Sequence, residues 1–434
     1  MLTLGGSGGN GHSRRAFLQA GALFCGALTL ADVLRLRAQA APTVQSKKAV
    51  IMVYLNGGPS HVDMYDLKPA APVEYRGDFL PTHTNVPGFD ICELLPLQAK
   101  IADKLAIVRN MQFQQQGHTA PELYTGFLRG ERPAIGSVVS KLRSVAGQVG
   151  ELPPNIYIGD ANHVGKPGFL GKLHEAFIPD EKTANMKVPE GVSLGRIADR
   201  RQLRASFDRL RREADDGRGN MASADAFTDQ AIAMVTTNRA RDAFDVSLEP
   251  ASVREKYGKG TEYLQARRLV EAGVPLVTIT PRNHNLPKDC NGQWDHHDHI
   301  FRCLRAILPQ FDQSIHALVT DLHERGLDQD VAVVVWGEMG RTPRVGTQSG
   351  TVAGRDHWPQ AGFALFAGGG LKMGQVIGAT DRRGELPASD PYTPQNVLAT
   401  LYHVLGISPA TTLLDHHGRP HYLLDDRRKI KELI

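Results

Sequence analysis

Short apolar runs punctuate this chain, and each gives way to glycine or polar residues. Lys48–Leu55, Leu105–Val108, Asn155–Gly159, Pro275–Thr280, Val331–Trp336 and Phe363–Phe366 have the length and β-branched content that predict buried strands. Between them lie segments with helical period: Glu122–Leu128, Ser193–Asp216, Ala222–Val246, Tyr263–Ala272, a long stretch from Asp295 to Arg325 interrupted near Pro309, and Pro394–Leu405. Strands alternating with helices predict an α/β fold, a mostly parallel central sheet with helices on both faces. The two segments densest in Arg, Asp and Glu predict a mainly helical insertion at about residues 193–260, its charges forming solvated faces.

Composition adds little to that picture and removes one class of partner. With 434 residues, 41% hydrophobic and 22% charged, the chain has the make-up of an ordinary globular protein. Residues 1–40 hold four Arg and one Asp, leaving 46 basic and 45 acidic residues beyond them. So balanced a surface offers no electrostatic case for nucleic acid.

The first 40 residues read as an address. Ser13-Arg14-Arg15-Ala16-Phe17-Leu18 is a twin-arginine pattern, an apolar segment follows from Ala20 to Leu30, and Ala38-Gln39-Ala40 places small residues where a signal peptidase cuts. A membrane anchor is the competing reading, but the segment is shorter than the roughly 20 residues a bilayer span needs. Lipidation at Cys25 is a third, opposed by the bulky Phe24 before it. The expectation is delivery by the twin-arginine machinery to the periplasm or beyond, with no transmembrane span in the mature protein. Cys92, Cys290 and Cys303 would then remain, an odd number without paired spacing, which predicts no disulfide framework.

Candidate chemistry gathers at predicted strand ends, where open α/β sheets bind ligands. The first strand runs into Asn56-Gly57-Gly58-Pro59-Ser60-His61-Val62-Asp63, either a plain strand-to-helix turn or a loop whose glycines admit a ligand. Gly117-His118-Thr119 precedes a helix, and Thr119 reads as its N-cap or as a nucleophile with His118 beside it. Asp295-His296-His297-Asp298-His299 offers five metal-ligand side chains in succession, or a polar helix start capped by Asp295. If those residues open a helix, Asp295 and His299 share one face. Glu338 closes the next strand with Arg341 close by, as an ion pair or as a carboxylate beside an anion clamp. Arg355-Asp356-His357-Trp358 adds a further guanidinium, carboxylate and imidazole.

Taken together, Gly57-Gly58-Pro59-Ser60, Trp294-Asp295-His296-His297, Gly337-Glu338-Met339-Gly340-Arg341-Thr342-Pro343, Gly354-Arg355-Asp356-His357-Trp358 and Gly368-Gly369-Gly370 resemble the exported bacterial family DUF1501, placed with alkaline-phosphatase-like and sulfatase-like proteins. The resemblance covers the chain from about residue 48 to its end. It implies an alkaline-phosphatase-like fold, a divalent metal (zinc, manganese, calcium or magnesium), and hydrolysis of an anionic phosphate or sulfate ester, with sulfated or phosphorylated polysaccharide as one form of the substrate. It implies metal ligands among Asp295, His297, His299, Glu338, Asp356, His357, Asn56 and Asp63. Thr119 and His118 would be catalytic, and Arg341 and Arg355 would hold the anion. Asn56 stands where the first-strand acid is usual, and Met339 where a His follows the later acid, so the number of metals is left open. A catalytically silent binding or assembly protein on the same fold is the alternative.

Overall fold

A computed structural model of the chain describes residues 47–114, 116–129, 131–148, 150–179, 230–234, 237–346 and 353–434. The signal segment, the Ser193–Asp216 helix and most of the expected insertion lie outside these residues.

Seven strands form the central sheet: β1 Ala49–Tyr54, β2 Leu105–Met111, β3 Asn155–Ile158, β4 Leu276–Ile279, β5 Val331–Trp336, β6 Gly362–Gly368 and β7 Gln375–Ile377, in the order β7-β2-β6-β5-β1-β4-β3. Only β6 runs antiparallel, between β2 and β5; the other pairings are parallel. A strand of opposite sense begins where its neighbours end. The loop entering β6 therefore reaches the same edge as the loops leaving β1, β2, β4 and β5, and the catalogue of polar motifs gathers there.

Both faces of the sheet are covered, which is why β1 and β5 are apolar at every position. Ala49, Ile51 and Val53 of β1 pack with α4 (Thr261–Glu271) and α5 (Ile300–Glu324). Val50, Met52 and Tyr54 face the other way, against α3 (Ile135–Val145) and α6 (Pro394–Val404). Two shorter helices matter for the site: α1 His61–Met64 and α2 Pro121–Thr125. Among the described residues no helix is long and apolar enough to cross a membrane.

Several local expectations are corrected. The helix expected from Asp295 starts at Ile300, because His299 takes a left-handed conformation (φ 52°) and breaks the turn. Once begun, α5 runs 25 residues straight through Pro309. The helix after the His118 loop is capped by Ala120, so Thr119 is not its N-cap. The expected Ala222–Val246 helix is interrupted at Thr237 before Asn238–Phe244. Cys290 and Cys303 form a disulfide, Cα atoms 5.5 Å apart, which ties the loop after β4 to the first turn of α5. Counting an odd number of cysteines did not exclude one bridge plus one buried thiol, Cys92.

Candidate metal centre

His118, Asp295, His297 and His357 bring one ligand atom each within 4.8 Å of one another. They arrive from three connections: His118 from the loop after β2, Asp295 and His297 from the loop after β4, His357 from the loop entering β6. A two-residue antiparallel ladder, Gly340–Arg341 with His357–Trp358, fixes His357 beside the segment leaving β5.

The Asp295–His297 segment is not helical and is tied down from both sides. Trp294 N–H donates to the Asn56 carbonyl (2.8 Å), and Arg355 N–H to that of His296 (3.3 Å). Two glycines permit this. A Cβ at Gly57 would sit 2.6 Å from Asp295 N, and one at Gly354 would sit 1.7 Å from the His297 carbonyl oxygen. Any side chain at either position would displace the ligand segment.

Each imidazole is oriented from behind. His118 Nδ1 donates to Glu338 Oε1 (2.8 Å), His297 Nδ1 to Asp356 Oδ1 (2.6 Å), and His357 Nδ1 to the Gln116 carbonyl (2.8 Å). Glu338 is itself fixed, fully buried and accepting from Gly57 N–H (3.0 Å). With hydrogen on Nδ1, the Nε2 atoms of His297 and His357 carry lone pairs. They lie 3.2 Å apart, and they stand 3.0 and 3.5 Å from Asp295 Oδ1. The Arg341 guanidinium supplies positive charge at Asp295 Oδ1, and a shared proton or a metal ion between the two imidazoles relieves the crowding of their lone pairs. The arrangement of outward lone pairs with carboxylate or carbonyl support behind them fits a metal centre.

His118 completes the set. Its Nε2 lies 3.2 Å from Asp295 Oδ2. Hydrogen bonds to Asp295 and then Glu338 push its pKa up to about 9, so without a metal a proton occupies the place a metal would take. Burial raises the Asp295 carboxyl, but the hydrogen bonds from His118 and Arg341 outweigh it and hold it well below the usual carboxylate range. Burial lowers the His357 imidazole, keeping it neutral and able to ligate.

The remaining candidates stand outside the cluster. Glu338 and Asp356 orient ligands. Arg341 is fully buried, its guanidinium committed to Asp295 and to the carbonyls of Gly57, Gly58 (2.9 Å) and Arg355 (3.1 Å). Arg355, equally buried, grips both oxygens of Asp63 (2.7 and 3.0 Å) and the Thr342, Pro343 and Tyr75 carbonyls. Neither guanidinium offers a free edge to an anion, and Asp63 is the partner of Arg355 rather than of the cluster. His299 faces Asp289 (3.6 Å). Asn56 lies between Tyr54 Oη (3.0 Å) and His163 Nε2 (3.0 Å), a contact with no sequence signal. Met339 is buried, its side chain toward Gly58. Thr119 is exposed, next in the chain to His118.

Fold and site define a two-face-covered α/β protein with a three-histidine, one-aspartate cluster at the carboxyl edge of its sheet. The chain belongs to the DUF1501 family: the family model, described as a protein of unknown function, matches residues 47–434. No curated protein matches. Among solved structures it is similar to a sulfatase from Pseudoalteromonas sp., at 13% identity over 86% of this chain and 70% of that one, TM-score 0.37. It is also similar to a protein in the alkaline phosphatase superfamily from Vibrio parahaemolyticus (12% identity, 85% and 68% covered, TM-score 0.37). A third is the lipoteichoic acid synthase of Listeria monocytogenes (9%, 85% and 74%, TM-score 0.34). None of the three transfers a residue role to this chain.

Proposed function

We propose that the chain is an exported, metal-dependent hydrolase of phosphate or sulfate esters. The observation that carries this reading is the convergence of three imidazole Nε2 atoms on Asp295, each imidazole held at Nδ1 by its own acceptor. Three nitrogens and one carboxylate suit zinc, manganese or iron better than calcium or magnesium, which take oxygen ligands. A divalent ion there supplies Lewis acidity to polarise the ester and stabilise its developing charge.

The protein's own part is positional. Arg341 aims the Asp295 carboxylate, while Glu338, Asp356 and the Gln116 carbonyl aim the three rings. The Thr119 hydroxyl attacks the phosphorus or sulfur atom, its proton passing to the alcohol oxygen that departs as the ester bond breaks, and water then releases the acid from Thr119. The four clustered side chains keep 23–30% of their surface exposed, which leaves an ester carried on an anionic polysaccharide a route to them. Export rests on Arg14-Arg15, the apolar segment after them and Ala38-Gln39-Ala40, and a disulfide suits an oxidising compartment.

One observation favours the second reading, a silent binding protein: both arginines expected to grip the anion are buried and committed elsewhere. Turnover separates the two. The purified protein with added zinc or manganese should hydrolyse an aryl phosphate or aryl sulfate, and Thr119→Ala and Asp295→Ala should each abolish it. Metal binding without hydrolysis of either ester class would leave the binding reading standing and overturn the hydrolase.

A further inference from the structure

Behind His118 runs a chain of polar side chains that the proposed mechanism does not use. It begins at His163, in the short turn Ala161–His163 that follows β3. Because β3 is parallel to β4, this half-buried imidazole stands at the same carboxyl edge of the sheet as the metal centre. His163 Nε2 lies 3.0 Å from Asn56 Nδ2, and Asn56 Oδ1 lies 3.0 Å from the Tyr54 hydroxyl. That hydroxyl also stands beside the buried Glu338 carboxylate, which holds His118 Nδ1 at 2.8 Å. An unbroken run of contacts thus joins His163 to a residue of the metal centre.

Each link constrains the next. Burial, and after it the Glu338 charge, push the Tyr54 phenol far above its ordinary range, so Tyr54 keeps its one hydrogen and has only that to give. Rotation about a single C–O bond directs it to Asn56 Oδ1 or to Glu338, never to both. Asn56 decides between them. While its Nδ2 donates to His163 Nε2, its Oδ1 faces Tyr54 and takes the phenolic hydrogen. His163 Nε2 is then the bare nitrogen, and the ring hydrogen sits on Nδ1. Without that acceptor the amide is free to turn its N–H group toward the Tyr54 oxygen, which sends the phenolic hydrogen to Glu338. Glu338 would then accept from Tyr54 in addition to Gly57 N–H (3.0 Å) and His118. A carboxylate that shares its charge with a further donor pulls less on the His118 N–H, and His118 Nε2 becomes a poorer ligand.

We infer that His163 is a positioning residue of the metal centre: through Asn56 it keeps the Tyr54 hydroxyl off Glu338 and leaves that carboxylate to His118. The inference rests on the reading of His118, Asp295, His297 and His357 as a metal centre, and it stands whether or not the chain is a hydrolase. His163 touches neither the metal nor the reacting ester in this role. Its whole effect passes through the Tyr54 hydroxyl, and that makes it separable from a packing role.

The test is calorimetric titration of the full chain with zinc and with manganese, beside urea unfolding of the metal-free samples. His163→Ala should bind metal roughly 3–10-fold more weakly than the wild type, a smaller loss than removal of a group that touches a ligand directly. His163→Gln, whose Oε1 can accept from Asn56 Nδ2, should restore most of the affinity; His163→Asn, too short to reach, should not. In a Tyr54→Phe background the hydroxyl is gone, and adding His163→Ala should change metal affinity by less than about twofold. Nitrogen-15 NMR of the wild type should place the His163 ring hydrogen on Nδ1. Should His163→Ala not fold, His163→Asn takes its place in both backgrounds. Three results would each overturn the inference and leave the metal centre standing: equal metal affinity in the wild type and the His163 variants, an undiminished loss in the Tyr54→Phe background, or a ring hydrogen on Nε2. A wild type that takes up neither metal overturns the metal centre and this inference together.

Discussion

Asp356 offers a separation between holding a ligand and holding the fold. Its Oδ1 accepts from His297 Nδ1 at 2.6 Å, while its side chain is 38% exposed. In Asp356→Ala the imidazole loses the acceptor that fixes both its rotation and its tautomer, so Nε2 no longer points at the cluster with its lone pair free. Loss of such outer support weakens metal binding by roughly 10–100-fold, which corresponds to about 1.4–2.7 kcal/mol. The same substitution should change the stability of the metal-free protein by less than about 1 kcal/mol, since an exposed pair contributes little to folding. Asp356→Asn keeps an acceptor oxygen and should recover most of the affinity. Calorimetric titration with zinc and with manganese, run beside urea unfolding of the metal-free proteins, measures both quantities. Equal metal affinity in wild type and Asp356→Ala would refute the reasoning. So would a loss of affinity matched by an equal loss of folding stability.

The Arg355–Asp63 pair should be structural: Asp63→Ala strands a fully buried guanidinium and should cost about 3–5 kcal/mol in urea unfolding, with the metal affinity of the folded fraction unchanged. The pH dependence of the metal-free protein should carry the mark of His118. Its folded pKa is raised from 6.5 to about 9, so the folded chain holds that proton more tightly than the unfolded one. The stability it contributes is therefore fully present below pH 6.5 and is lost as pH rises through about 9. A Tm series across that range should fall, and His118→Asn should flatten the fall; identical slopes would contradict it.

Much of this was legible in the sequence, and the failures have identifiable causes. Strands such as Val331–Trp336 are uniformly apolar because helices cover both their faces, and such runs stand out. β7, Gln375–Ile377, is a three-residue edge strand with a polar first position and gives no such signal. Helix α3 hides because Gly136, Ser137, Ser140 and Ser144 dilute its apolar stripe. Asp295, His297 and His357 sit in motifs conspicuous by their density of His and Asp. His118, expected as a catalytic partner of Thr119, is a lone imidazole between Gly117 and Thr119 and joins the cluster only through the fold. The partner of Asp295 was ambiguous because helical spacing favoured His299. A left-handed residue just before α5 removes that helical turn, and His297 instead of His299 joins Asp295 in the cluster. Whether a carboxylate ligates or supports a ligand depends on which imidazole nitrogen it meets, and no spacing encodes that for Glu338 or Asp356. The burial of Arg341 and Arg355 is likewise a product of packing, since an Arg beside a Gly-rich loop reads equally well as an open clamp.

The central claim is that His118, Asp295, His297 and His357 form one metal centre. Elemental analysis of the protein purified from its native host, freed of loosely bound ions by gel filtration, tests this. About one zinc, manganese or iron per chain is expected, falling to background in both Asp295→Ala and His297→Ala while those variants stay folded. A folded wild type without stoichiometric metal, and unable to take up any of the three on titration, would contradict it.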